Sequence, residues 1–204
     1  MTDKPTPAAR RQAILEAAIA VFAQHGFDAA TTDDIARAAG LSKGGLYWHF
    51  KSKDDILAAI LMQIFDQELG VLQQLIAAEG AAAPRLREMV AHGVAAVQQL
   101  EALLPVMLEF YALAARRGDV RQFLQRYYQR YHQLLTQLIG QGFARGEFRY
   151  GTAEAAAITL IAQLEGLGLI WAIAPELAPL ADRSQMAIEL LIRGLMAVAA
   201  PSSA

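Results

Sequence analysis

Apolar residues recur along most of the chain at intervals of three and four, the spacing that gathers them on one face of an α-helix, and no stretch reads convincingly as a strand. Ile14, Ala18, Val21 and Phe22 share one such face, which predicts a helix over Arg10–Gln24 that Gly26 stops, leaving Phe27 to pack beneath the next two helices. A longer stripe runs through Leu57, Ile60, Leu61, Ile64, Phe65, Leu72 and Leu75. It opens at Ser52, which with Asp55 resembles a capping box carrying Asp in place of Glu. After a break at Glu79–Pro84 the pattern resumes over Arg85–Leu104, Pro105–Arg117, Asp119–Ala144, Thr152–Ala174 and Ala181–Ala199, with Pro105 at a helix start and Pro175 and Pro179 separating the last two. Two short helices between Thr31 and Phe50 bring the count to nine. The predicted class is all-α, with a three-helix head over residues 1–53 joined by a connecting helix to a helical body over 54–204.

Polar and small positions carry the most information between Thr31 and Lys53, where the chain reads TTDDIARAAGLSKGGLYWHFKSK. The Thr31 hydroxyl suits a helix cap, and Asp33 and Asp34 are favoured by the positive end of the helix dipole. Ile35, Ala36 and Ala39 point to a core until Gly40, which enters a left-handed conformation without steric cost and ends the helix. Leu41 is expected to bury in the turn, and Ser42 to cap a second helix from Lys43 to Phe50. Two short helices joined by a tight turn form the layout of a helix-turn-helix DNA reader.

Composition narrows the picture further. The 204 residues are 55% hydrophobic, enough for a large core, and the absence of cysteine excludes disulfide scaffolds and thiolate chemistry and fits a reducing cytosol. No segment reads as a signal peptide or membrane span: the longest uncharged run, Tyr131–Ala144, is only 14 residues long and contains His132 and three glutamines. Net charge is −2, unevenly spread: residues 1–53 hold seven Lys and Arg against five Asp and Glu, while the rest hold eleven against fifteen. All four lysines, Lys4, Lys43, Lys51 and Lys53, lie in the first part. A cationic head on an acidic body suits a protein that meets phosphate with one end.

The segment from Ala13 to Leu57 resembles the DNA-binding domain of the TetR family of bacterial transcriptional regulators. The resemblance rests on Ile14, Ala17, Phe22, Gly26 and Phe27, then Thr32, Ile35, Ala36, Ala39, Gly40, Leu41, Ser42, the run Leu46 to Phe50, Lys51, Lys53 and Leu57. It implies that the second reader helix lies in the major groove, and the residue chemistry agrees. Lys43 suits a phosphate or the acceptor edge of guanine, while Gly44 and Gly45 remove bulk where the backbone approaches DNA. Tyr47 and His49 are expected to donate to phosphate, and Thr31, Thr32 and Ser42 to sit at helix starts that suit anions. Lys53 is expected to clamp backbone phosphate. Leu46 and Phe50 read as core; Trp48 is read as either a groove contact or a packed side chain.

For the body the resemblance implies a homodimer and a small-molecule effector. The helices over Thr152–Ala174 and Ala181–Ala199 are apolar enough to pair with their copies in a four-helix seam, with an ordinary buried core as the other reading. A two-fold dimer implies operator DNA with inverted half-sites about one turn or more apart. The candidate effector-binding residues are Phe65, Met89, His92, Met107, Glu109, Phe110, Tyr111, Phe123, Tyr127, Tyr131 and Trp171, each of which otherwise belongs to the core. They suit a hydrophobic or aromatic ligand, with Glu109 or Glu165 available to counter a cation. No catalytic residue, metal site or cofactor is expected: none of the five serines lies in a nucleophile elbow, none of the four histidines in a zinc pattern, and the G-x-G at Gly140–Gly142 and Gly166–Gly168 lacks a preceding strand. The expected function is repression of transcription in a bacterial cytoplasm, relieved by the effector. A helical enzyme or carrier with a reader-like head is the alternative.

Overall fold

A computed structural model describes residues 6–99, 104–177 and 179–197, without the side chains of residues 99, 104–107 and 109. Among the described residues there are nine helices and no strand: α1 (Pro7–Ala29), α2 (Thr32–Ala38), α3 (Lys43–His49), α4 (Lys53–Ala77), α5 (Ala82–Gln99), α6 (Leu104–Arg116), α7 (Gly118–Ala144), α8 (Ala153–Ile173) and α9 (Leu180–Met196). They divide into two compact units, one within Met1–Phe65 and Leu100–Leu124, the other within Asp66–Gln99 and Gln125–Ala204. The break expected after residue 53 therefore falls inside the first unit, which also takes α6 and the start of α7.

In the first unit α1 packs on α2 and α6, and α2 packs on α3. Ile14, Phe22, Ile35, Leu46 and Leu57 are almost fully buried, as expected, and so are Leu15 and Phe110. Helix α1 starts earlier than expected because Thr6 caps it, accepting from the Ala9 amide at 3.1 Å, and Pro7 supplies a first residue that needs no amide hydrogen. Gly26 does interrupt the helix, at φ 75°, but a further turn continues to Ala29. Ser52 caps α4 through the Asp55 amide at 3.1 Å. The Asp55 carboxylate instead accepts from Arg117 Nη1 at 2.7 Å, so only half of the expected box forms there. Arg117 also donates to Asp119, and the two carboxylates hold its guanidinium pKa above the usual range.

In the second unit α9 packs on α5 and α8 around Leu72, Leu86, Leu135, Leu138, Ile139, Leu160 and Ile188. Helix α5 begins at Ala82, two residues before Pro84, which is tolerated because first-turn amides have no intrahelical acceptor. Two of those amides, of Ala82 and Ala83, donate instead to Glu147 Oε2 at 2.7 and 3.4 Å. Arg85 is buried and closes the corner between α4 and α5. It donates to the carbonyls of Leu75, Ala78, Gly80 and Ala81 and to Gln141 Oε1, all between 2.8 and 3.1 Å. A cation thus satisfies the orphan carbonyls at the end of α4. Gly142 is required for packing: a Cβ there would lie 2.3 Å from the Phe148 ring.

Helix α8 qualifies, by length and composition alone, as apolar enough to cross a membrane. It does not stand out as an uncharged run because Glu154 and Glu165 interrupt the sequence. A core or interface helix has the same composition, and Ala156, Ala157, Leu160, Ile161 and Trp171 of α8 are buried.

Candidate nucleic-acid interface

Local chemistry builds the reader from its caps outward. Thr31 Oγ1 accepts from the Asp34 amide at 3.1 Å, and the Asp34 carboxylate accepts from the Thr31 amide at 3.3 Å, a reciprocal capping box. The Thr31 hydroxyl also donates to Asp34 at 2.5 Å; this bond and the neighbouring Arg37 hold the Asp34 carboxyl below its ordinary pKa. Gly40 adopts φ 67°, and the Leu41 amide reaches back to the Ala36 carbonyl at 2.9 Å, closing α2 and setting the turn. Ser42 Oγ then accepts from the Gly45 amide at 3.2 Å to start α3.

Two polar contacts fix α3 against α2. Thr32 Oγ1 and Tyr47 Oη lie 3.2 Å apart, and Lys43 Nζ lies 2.9 Å from Asp33 Oδ1, which raises the lysine pKa. The Lys43 side chain is 63% exposed, so the pair leaves it accessible. Leu46 and Phe50, four residues apart, are buried, and the residues between them turn outward. Tyr47 is 44% and Trp48 73% exposed, which removes the packed alternative for Trp48. The half-buried His49 ring meets the Trp48 ring edge-on at 4.6 Å. A Cβ at Gly44 would meet open space, and one at Gly45 would touch only Ser42 and Leu41 at 3.4 Å and beyond. Internal packing therefore does not explain the glycine pair.

Lys53 corrects an expectation. Its ammonium donates to the carbonyls of Phe27, Asp28 and Ala30 at 2.5, 3.0 and 3.1 Å and lies over the Phe27 ring at 4.4 Å. An ammonium has three donors and here all three are occupied, so Lys53 ties the start of α4 to the end of α1 and is not a free phosphate clamp. Thr31 and Ser42 likewise serve first as caps, the Thr31 hydroxyl hydrogen being committed to Asp34.

The candidate effector residues fall in both units. In the first unit Phe65, buried on α4, meets Phe110 at 6.0 Å and Phe123 at 6.1 Å between ring centres, and Tyr111 remains partly exposed. In the second unit Tyr127 stacks on Tyr131 at 5.6 Å, the Tyr131 hydroxyl reaches Met89 Sδ at 3.8 Å, and Trp171 is buried on α8. His92 faces solvent on α5, so it does not join the buried aromatic set. Met107 and Glu109 lie outside the residues whose side chains are described. The sequence reading missed Glu68, whose Oε2 accepts from the Tyr127 hydroxyl at 2.7 Å. Burial pushes its pKa up and the nearby Glu165 adds to that, while the Tyr127 hydrogen bond opposes them. A signal was there: Glu68 falls in phase with Leu61, Phe65, Leu72 and Leu75, a carboxylate on an apolar stripe.

Residues 14–60 match the model of bacterial regulatory proteins of the tetR family, and residues 82–196 match that of the BetI-type transcriptional repressor C-terminal region. The transcriptional repressor KstR2 of Mycolicibacterium smegmatis is 34% identical over 122 residues, 59% of this chain and 58% of that protein. The regulator AcrR of Shigella flexneri is 36% identical over 84 residues, 40% of this chain and 39% of its own length. These matches thus span less than two thirds of the relatives' lengths. The structure of SmeT, repressor of a Stenotrophomonas maltophilia multidrug efflux pump, superposes with a TM-score of 0.72 at 25% identity, covering 90% of this chain and 88% of SmeT. The carboxy-terminal match alone covers more than half of the chain and the reader has its own: this protein belongs to the TetR family of transcriptional regulators.

Proposed function

We propose that the protein is a homodimeric, sequence-specific DNA-binding repressor that acts in the cytoplasm and leaves its operator when a small organic effector binds the body. The carrying observation is the outer face of α3, where Lys43, Tyr47 and Trp48 are exposed beside a glycine pair that packing does not require. Such a face offers cationic, hydroxyl and aromatic contacts to a groove, with backbone free to approach phosphate. Dimerisation is supported by apolar side chains left exposed on α8 and α9: Ile158, Leu169, Ile170, Ile173, Met186 and Leu190. A patch of this kind marks an association surface, and a two-fold pairing leads to inverted half-sites. The likeness to KstR2 and SmeT supports repression over activation.

A footprint on DNA flanking the gene tests this reading. The protein is expected to protect an inverted repeat, with affinity falling steeply as salt rises. Lys43→Ala is expected to weaken operator binding about tenfold and to lower the salt slope by roughly one, with thermal stability little changed because the Asp33 pair is exposed. Equal affinity for flanking and random DNA overturns the proposal.

A further inference from the structure

The cations around the reader are not equally free. Arg37 pairs with Asp34, Lys43 with Asp33, and Lys53 gives its three donors to carbonyls at the end of α1. Among the described residues no carboxylate or carbonyl engages the side chains of Arg10, Arg11 or Lys51.

Arg11 differs from the other two in being held in place. Its guanidinium carbon lies over the Phe50 ring, 5.0 Å from the ring centre. Phe50 is buried and is the C-cap of α3, so the contact sets an exposed cation of α1 at the carboxyl end of the helix that carries Tyr47 and Trp48. An aromatic face holds a guanidinium without using its N–H groups, which stay available for a forked pair of bonds to one phosphate. Lys51, exposed, follows Phe50 directly and adds a second cation at the same end.

That end of α3 needs them. The last carbonyls of a helix carry the negative end of its dipole and repel a phosphate unless a cation stands between. Lys43 already stands at the other end. Helix α3 has seven residues and is therefore about 10 Å long, close to the roughly 12 Å width of a major groove, so cations at its two ends are spaced for the backbones on either side. Lys53, the residue expected to clamp phosphate, has no donor left for the task.

We propose that Arg11, held over Phe50 and supported by Lys51, is the phosphate clamp at the carboxyl end of α3, in the place of Lys53. The assignment rests on α3 being the helix that enters DNA.

The test uses the full chain and measures dissociation constants for the footprinted operator and for random duplex DNA between about 50 and 200 mM NaCl. Arg11→Gln is expected to weaken both by a similar factor, about tenfold, and to lower the salt slope by roughly one, with the protected repeat unchanged. Arg11→Met, which keeps an apolar stem on the ring, is expected to do the same, and Arg11→Lys to keep the slope. Lys53→Gln is expected to leave the slope as it is. Circular dichroism checks the fold of each variant. An unchanged slope in folded Arg11→Gln or Arg11→Met overturns the proposal, because a residue that only covers Phe50 alters stability or affinity and not the count of phosphates neutralised. A slope lowered by one in folded Lys53→Gln also overturns it and returns the clamp to Lys53. Equal affinity of the unaltered protein for operator and random DNA overturns the sequence-specific repressor, and the slopes on random DNA then decide Arg11; binding to neither DNA overturns both.

Discussion

The α2–α3 reader and the α4–α5 corner each join two helices through a tight connection, but the corner alone also draws supports from far along the chain. In the reader, Thr31 bonds Asp34 three residues on, Ser42 bonds Gly45 three residues on, and the Leu41 amide returns five residues to Ala36. At the corner, Arg85 reaches across to Gln141, and the cap of α5 comes from Glu147, 65 residues beyond the Ala82 amide it accepts from. The reader thus carries its own geometry in some twenty residues, whereas the corner adds to Arg85's bonds with carbonyls four to ten residues away two supports from far along the chain, Gln141 of α7 and Glu147 after it. Under the proposed function, a surface that presents fixed contacts to a groove gains from local determination, and a body that answers a ligand gains from distant parts whose packing the ligand can bias.

The sharpest way to break this contrast is Arg85→Ala. It leaves four carbonyls and the Gln141 side chain without their donor in a buried setting, and it is expected to destabilise the second unit by about 3 kcal/mol. Urea denaturation paired with hydrogen exchange checks it: protection is expected to fall in α4's second half, α5 and α7, and equal loss in α2 and α3 would contradict the difference in range. Ser42→Ala is the reader's counterpart. Loss of one cap is expected to cost about 1 kcal/mol, with faster exchange confined to the first turn of α3.

A smaller effect comes from pH. Arg87 holds the Glu189 carboxyl below its ordinary value of 4.5, so the pair's contribution is complete above that value and is lost as pH falls through the lower folded-state value. The melting temperature of the unaltered protein is expected to exceed that of Glu189→Gln at pH 7, and the gap to close below pH 4.5. A gap that does not narrow at all as pH is lowered would assign the effect to packing.

Much of the fold was legible because helical spacing and capping are local. The nine helices, the Gly40 turn and the inward Leu46 and Phe50 are set by residues within a turn or two of one another. The spacing places the start of α1 too late because the Thr6–Pro7 cap precedes the apolar stripe, and it makes Pro84 a break although Pro84 sits in a first turn. Site reading divided the same way. Residue type and spacing suggested Lys43, Tyr47 and the glycine pair, whereas the engagement of Lys53 by the end of α1 and the approach of Tyr127 to Glu68 involve contacts 23 to 59 residues apart.

By itself the sequence determined the class of the fold, the reader's caps and turn, and the resemblance to one family, since each depends on bonds between near neighbours that almost any compact state retains. Tertiary structure alone decided that Lys53 is occupied, that Trp48 faces outward, that Glu147 caps α5, and that a carboxylate on the stripe of α4 accepts from the Tyr127 hydroxyl. Those outcomes depend on which distant groups share a desolvated space, and only the packed chain sets that.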